Sequence, residues 1–129
     1  MATLSVDLAY KDYQDIGVVV LGKAGVRIKA SAVPLAARGL RSRPMVEALA
    51  DGLVTLADEA GAAWMFIDGP QGWKAPDNGH LHARCCEREL ATQGKTGLPG
   101  VTKPGYYVGF ISFAIELFDA LDNRGWPAC

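Results

Sequence analysis

An unbroken apolar run, Ala63-Trp64-Met65-Phe66-Ile67, leads into a single carboxylate, Asp68, and then into Gly69-Pro70-Gln71-Gly72-Trp73. A short continuous apolar run bounded by turn residues reads as a strand buried on both faces. Such strands lie inside α/β sheets under a cover of helices, so the rest of the chain has to supply that sheet and that cover. Asp68 then stands at the carboxyl end of a central strand, the end at which open α/β sheets bind ligands and metals. Capping the following turn is the competing role for an Asp there.

A second stretch carries the same signature. Thr3-Leu4-Ser5-Val6-Asp7-Leu8-Ala9-Tyr10 is short, apolar and β-rich, and it too holds one Asp. An unpaired carboxylate inside a sheet is costly. Asp7 and Asp68 on neighbouring buried strands become tolerable if they face each other across a divalent cation. Two carboxylates make a hard, oxygen-lined site that suits Mg or Mn.

The remaining elements decide whether the two strands can be neighbours. After strand one, over residues 3–10, Ile16 to Leu21 is a β-branched second strand. Gly22-Lys23-Ala24-Gly25 is a hairpin turn, and Val26 to Val33 alternates as a half-exposed strand near the edge. Pro34 to Arg43 is a linker with Arg38, Arg41 and Arg43, either a solvated loop or a phosphate-contacting one. Residues 44–60 space Val46, Leu49, Ala50, Leu53, Leu56, Ala57 and Ala60 as one buried helical face, and Gly61 is the C-cap candidate. A meander, a crossover helix and a strand predict the order 3-2-1-4, because a right-handed crossover sets the fourth strand parallel to the first. The fold class is therefore α/β, a mixed sheet with flanking helices. Beyond it, residues 82–93 read as a charged helix, residues 94–105 as irregular, and residues 106–123 as a strongly apolar helix.

Composition narrows the function classes. With 129 residues, half of them hydrophobic, the chain predicts one globular domain over its whole length. A net charge of −1 does not advertise nucleic-acid binding, so any phosphate-binding patch must be local. There is no membrane-spanning run, and the start of the chain does not read as a signal peptide. Cys85, Cys86 and Cys129 form no disulfide framework, so the cytoplasm is the expected compartment. His80 and His82 with Cys85 and Cys86 lack zinc-ligand spacing, and Cys86 reads as a small core residue. There is no Walker A sequence.

The segment FIDGPQGW…RCCERELATQGKTGLPG, with Asp7 in the first strand, resembles a family of uncharacterised predicted nucleases with a ribonuclease H-like fold. In that family a buried strand ends in Asp-(Gly/Ala)-Pro and an Arg-x-Cys-(Asp/Glu)-x-x-Leu helix follows. Here those positions are Asp68, Gly69 and Pro70, then Arg84, Cys86, Glu87 and Leu90. The resemblance implies a ribonuclease H-like mixed sheet and metal-dependent phosphoryl transfer, with two cations about 4 Å apart held by carboxylates. Asp7 and Asp68 are the implied catalytic metal ligands. Glu47, in the first turn of the crossover helix, is a third ligand or else a partner of the helix dipole. Glu87 is catalytic or else pairs with Arg84 or Arg88. Arg84, Arg88 and Lys95 are candidates for contacting a nucleic-acid backbone, or solvated surface residues. Trp73 is a base-stacking candidate, or packs under its own turn.

The same family carries a further strand and an acidic segment after the apolar helix, so the chain is expected to be either a fragment or a shortened member. The fourth strand would then be a bare apolar edge, and the last helix is apolar over more than one face; together they predict a homodimer. The competing functions are an inactive nuclease fold used for binding or scaffolding, and an ATP-binding sugar-kinase-like domain. The glycine-rich hairpin needed by the latter is not convincing at residues 22–25.

Overall fold

The computed structural model describes residues 1–128. Strand β1 (Ala2–Asp7) pairs antiparallel with β2 (Gly17–Ala24), and β2 pairs antiparallel with β3 (Arg27–Ala32). Helix α1 (Val46–Ala60) crosses over to β4 (Ala62–Asp68), which lies parallel to β1. The sheet order is β3-β2-β1-β4. After β4 the chain builds a short helix α2 (Cys85–Glu89), a two-residue ladder of β5 (Lys95–Thr96) with β6 (Thr102–Lys103), and the long helix α3 (Val108–Asp122). The architecture is a mixed α/β fold, and among the described residues no helix is long and apolar enough to cross a membrane.

Local chemistry explains the boundaries. Ala24 pairs with Arg27, so the hairpin turns on Gly25-Val26, and Gly25 takes the left-handed φ of 67° that glycine reaches without strain. Gly22, which reads as a turn residue, instead sits inside β2 opposite Lys29, because the hairpin arms run on past the core. Helix α1 starts at Val46, two residues later than Pro44 suggests; the Tyr13 hydroxyl accepts a hydrogen bond from Met45 N at 3.0 Å and anchors that entry. Gly61 closes the helix at φ 63°. The apolar C-terminal helix begins at Val108, after a 3-10 turn over Gly105–Tyr107.

The core lies on one face of the sheet. Leu4 and Val6 of β1 and Val18 of β2 are buried against Leu49, Leu53 and Leu56 of α1 and Ala114, Leu117 and Leu121 of α3. The in-register partners of Leu4 and Val6 on β4, Met65 and Ile67, pack against the same cluster. Both long helices therefore cover one side. The opposite side carries Thr3, Ser5 and Asp7, the β2 residues Gly17, Val19 and Leu21, and Trp64, Phe66 and Asp68 of β4. There Trp64 is 53% and Phe66 62% exposed. The expectation that β4 is buried on both faces is thus corrected: among the described residues β4 is an edge strand with one open face, on which Trp64 and Phe66 stand exposed. The helix expected over residues 82–93 is also shorter, five residues of α2, and Cys86 and Leu90 are exposed and do not join a core.

Because Leu53 is fully buried between α1 and the sheet, Leu53→Ala should lower the unfolding free energy by about 2–5 kcal/mol. Urea denaturation followed by circular dichroism measures it, and an unchanged midpoint would contradict this packing.

Candidate functional site: a carboxylate pair on the open face

The parallel pairing of β1 and β4 sets Asp7 directly opposite Asp68. Neighbouring strands lie about 4.8 Å apart, and residues opposite each other project from the same face. Both side chains stand on the open face, and both residues are exposed. With Ser5 and Phe66 they line a shallow depression across the carboxyl end of the strand pair. Among the described residues neither carboxylate takes part in a side-chain hydrogen bond or an ion pair. Exposure removes the desolvation penalty assumed for a carboxylate inside a sheet. What remains is two like charges side by side without a counter-charge, an arrangement that destabilises a strand pair.

The turn after Asp68 is held close. A Cβ on Gly69 would stand 3.0 Å from Ala114 Cβ of α3 and 3.5 Å from Leu8 Cδ2, so glycine lets the Asp68-Gly69-Pro70 turn lie against the helix. Gly109 near the start of α3 makes the same allowance for Tyr10, whose ring would be 2.7 Å from an added Cβ. The two segments that follow the carboxylates are thereby seated on the same helix.

Glu47 and Glu87 do not join the pair. Among the described residues no three His, Cys, Asp or Glu side chains come together as a metal-binding group. Glu47 does sit in the first turn of α1, but its carboxylate pairs with Arg124 just beyond α3, which also holds Asp51 at 2.8 Å. Glu87 is 4% exposed, and both of its oxygens are engaged. Oε1 accepts from the backbone N–H groups of Arg84 and Thr96, at 2.8 and 2.7 Å, and Oε2 accepts from the Thr96 hydroxyl at 2.7 Å. Its role in the structure is to tie the start of α2 to β5.

The cationic and aromatic candidates are scattered. Arg84 reaches Glu87 at 3.4 Å, and its Nε is buried without a partner among the described residues. Lys95 donates to the Glu87 carbonyl and the Thr92 hydroxyl. Arg88 is exposed beside His80 and His82 in a separate surface depression, and Trp73 is half-buried in its loop. Of the linker arginines, Arg38 pairs with Glu59 at 2.6 Å, whereas Arg41 and Arg43 are exposed. Two residues escaped the sequence reasoning. Ser5 lines the carboxylate depression, and its position two residues before Asp7 on a strand was the available signal. Lys74 is buried, its ammonium donating to the carbonyls of Ala75 and Pro76, and no spacing in the sequence announces that.

Compared with protein-family models, with curated proteins and with solved structures, the chain matches none.

The bonding of Glu87 has a consequence for stability. Burial by itself pushes its carboxyl up; the Arg84 N–H, the Thr96 hydroxyl and N–H, and the Arg84 guanidinium outweigh that and hold it below its ordinary value. A carboxyl with a lowered folded-state pKa contributes stability that is present above its unfolded value and lost as pH falls through the folded one. Glu87→Gln should therefore destabilise the protein by about 1–3 kcal/mol near neutral pH. That deficit should shrink below the ordinary glutamate value of about 4.3. Urea titrations of both proteins across this range measure the difference, and a pH-independent deficit would contradict it.

Proposed function

We propose that the protein is a Mg- or Mn-dependent phosphodiester hydrolase, a nuclease with a ribonuclease H-like arrangement of strands. The observation that carries this reading is the in-register pair of Asp7 and Asp68 at the carboxyl ends of the two parallel strands, on an open face and, among the described residues, without an ion-pair partner. The meander, the crossover through α1 and the parallel β4 support the architecture.

The residues present suit one hard cation. Mg is commonly held by one or two carboxylates, with water and substrate phosphate filling its other positions. Asp7 and Asp68 would hold it, with the Ser5 hydroxyl at the margin. Bound there, such an ion supplies an activated water and neutralises developing charge on phosphate oxygens. The protein's own contribution is to fix the two carboxylates on adjacent strands, where the sheet sets their separation. The Gly69 and Gly109 contacts with α3 and Tyr10 keep the rim of the site in place. The open face leaves room for an extended polymer to approach.

A second reading is that the fold binds without cleaving. Two observations favour it: Glu47 and Glu87 are engaged elsewhere, and neither β1 nor β4 carries a Lys or Arg to meet a phosphate backbone.

The readings separate on two measurements. In a panel of RNA, DNA and hybrid substrates with Mn, Asp7→Asn and Asp68→Asn should each lower kcat/KM at least about 100-fold, or about 2.7 kcal/mol. Activity that survives both substitutions would refute the site. In the presence of a chelator, Asp68→Asn should raise stability by about 0.2–1 kcal/mol through relief of like-charge repulsion. Added Mn should reverse the order by stabilising only the unsubstituted protein. Metal stabilisation without cleavage of any substrate would favour the binding protein.

A further inference from the structure

Among the described residues the outer edge of β4 is an uncovered apolar feature. Within the sheet β4 has one neighbour, β1, and among the described residues its backbone bonds to no other segment. Soluble proteins blunt such edges with charges, proline or bulges. From Ala62 to Ile67 this strand has no charge and no proline, and its one irregularity lies at its start, where the pairing with β1 shifts between Ala2 and Thr3. A groove runs along the edge, between Ala63–Ile67 and a wall of Phe118, Leu121 and Trp126.

We propose that this edge pairs with β4 of a second copy of the chain, antiparallel about a twofold axis at Met65, joining two sheets into one. The strand is self-complementary in that register. Trp64 falls opposite Phe66 of the second copy and Phe66 opposite its Trp64, giving two cross-strand aromatic pairs on the open face. Ala63, exposed at the register shift with β1, falls opposite Ile67. Asp68 falls opposite Ala62, so no carboxylate meets another across the seam. Moving the axis to Phe66 would set Trp64 against Asp68, and moving it to Trp64 would leave Ile67 opposite Gly61 outside the strand. Only the Met65 register pairs all of residues 62–68 within the strand.

Size points to the same occupant. Four half-exposed aromatic side chains offer on the order of 100 Å² each. The backbone seam and the apolar groove wall bring the contact toward the roughly 1,000 Å² that a stable interface needs. An extended nucleic-acid strand is the other occupant with a use for exposed aromatics. It would find no Lys or Arg on β1 or β4, and the two carboxylates at their ends. The dimer does not depend on the hydrolase reading.

Sedimentation velocity at micromolar concentration should give the mass of a dimer. Phe66→Lys, at a position 62% exposed, should weaken association at least about tenfold without changing the far-ultraviolet circular dichroism. In a background of Cys85→Ser, Cys86→Ser and Cys129→Ser, Met65→Cys should crosslink to its own copy on oxidation, because residues on a twofold axis between strands fall within disulfide range. A monomer at tens of micromolar would overturn the proposal. So would a dimer indifferent to Phe66→Lys, or a monomer whose Trp64 fluorescence, read with Trp73→Phe and Trp126→Phe in place, responds to single-stranded oligonucleotide.

Discussion

The parallel pairing of β1 with β4 is the contact on which the other features depend. It brings Leu4 beside Met65 and Val6 beside Ile67 on one face, which makes a continuous floor for α1 and α3. Because strand side chains alternate with a period of two, the same register carries Asp7 and Asp68 together onto the other face. Core and carboxylate pair are thus two sides of one constraint. A slip of one residue would bury a carboxylate and expose Leu4, so the hydrophobic core fixes the geometry of the polar site at no separate cost.

Much of this was legible in the sequence because it rests on local rules. The meander, the crossover helix ending at Gly61 and the general preference for right-handed connections lead to the order β3-β2-β1-β4, and the adjacency of Asp7 and Asp68 follows from it. What was not legible depends on distant partners. Glu47 has the position of a first-turn acid, but Arg124, seventy-seven residues away in sequence, claims its carboxylate. Glu87 sits in a motif that suggests chemistry, yet Thr96 from the following ladder completes its hydrogen bonding. Neither partner can be inferred from spacing. The burial of Lys74 is of the same kind: its ammonium is satisfied by carbonyls of the loop it helps to fold.

The segment between β4 and α3 shows how a glycine-rich stretch becomes ordered without long elements. Gly97 N–H donates to the Val101 carbonyl, and a Cβ at Gly97 would lie 2.3 Å from that oxygen, so only glycine allows the tight β5–β6 turn. The Gly97 carbonyl in turn accepts from Lys74 N–H. Glu87 fastens α2 to the same ladder through Thr96. A carboxylate, a lysine and a glycine thereby do what a hydrophobic core does elsewhere, and the sequence signal for this is weak because hydrogen bonding of this kind has no period.

Strand β4 is apolar on a face that no helix covers among the described residues. A continuous apolar run signals burial on both faces only when the chain supplies a layer for each face. Here α1 and α3 share one side, and Met65 and Ile67 already satisfy them. Among the described residues Trp64 and Phe66 stay largely exposed, so their apolar character is not explained by the core. Single exposed apolar residues need no explanation, but two large aromatics in line on an unblocked edge, beside an apolar groove, form a contiguous patch. The run therefore carries two messages: its core-facing members describe the fold, and its outward members, Trp64 and Phe66, describe surface that the described residues leave exposed.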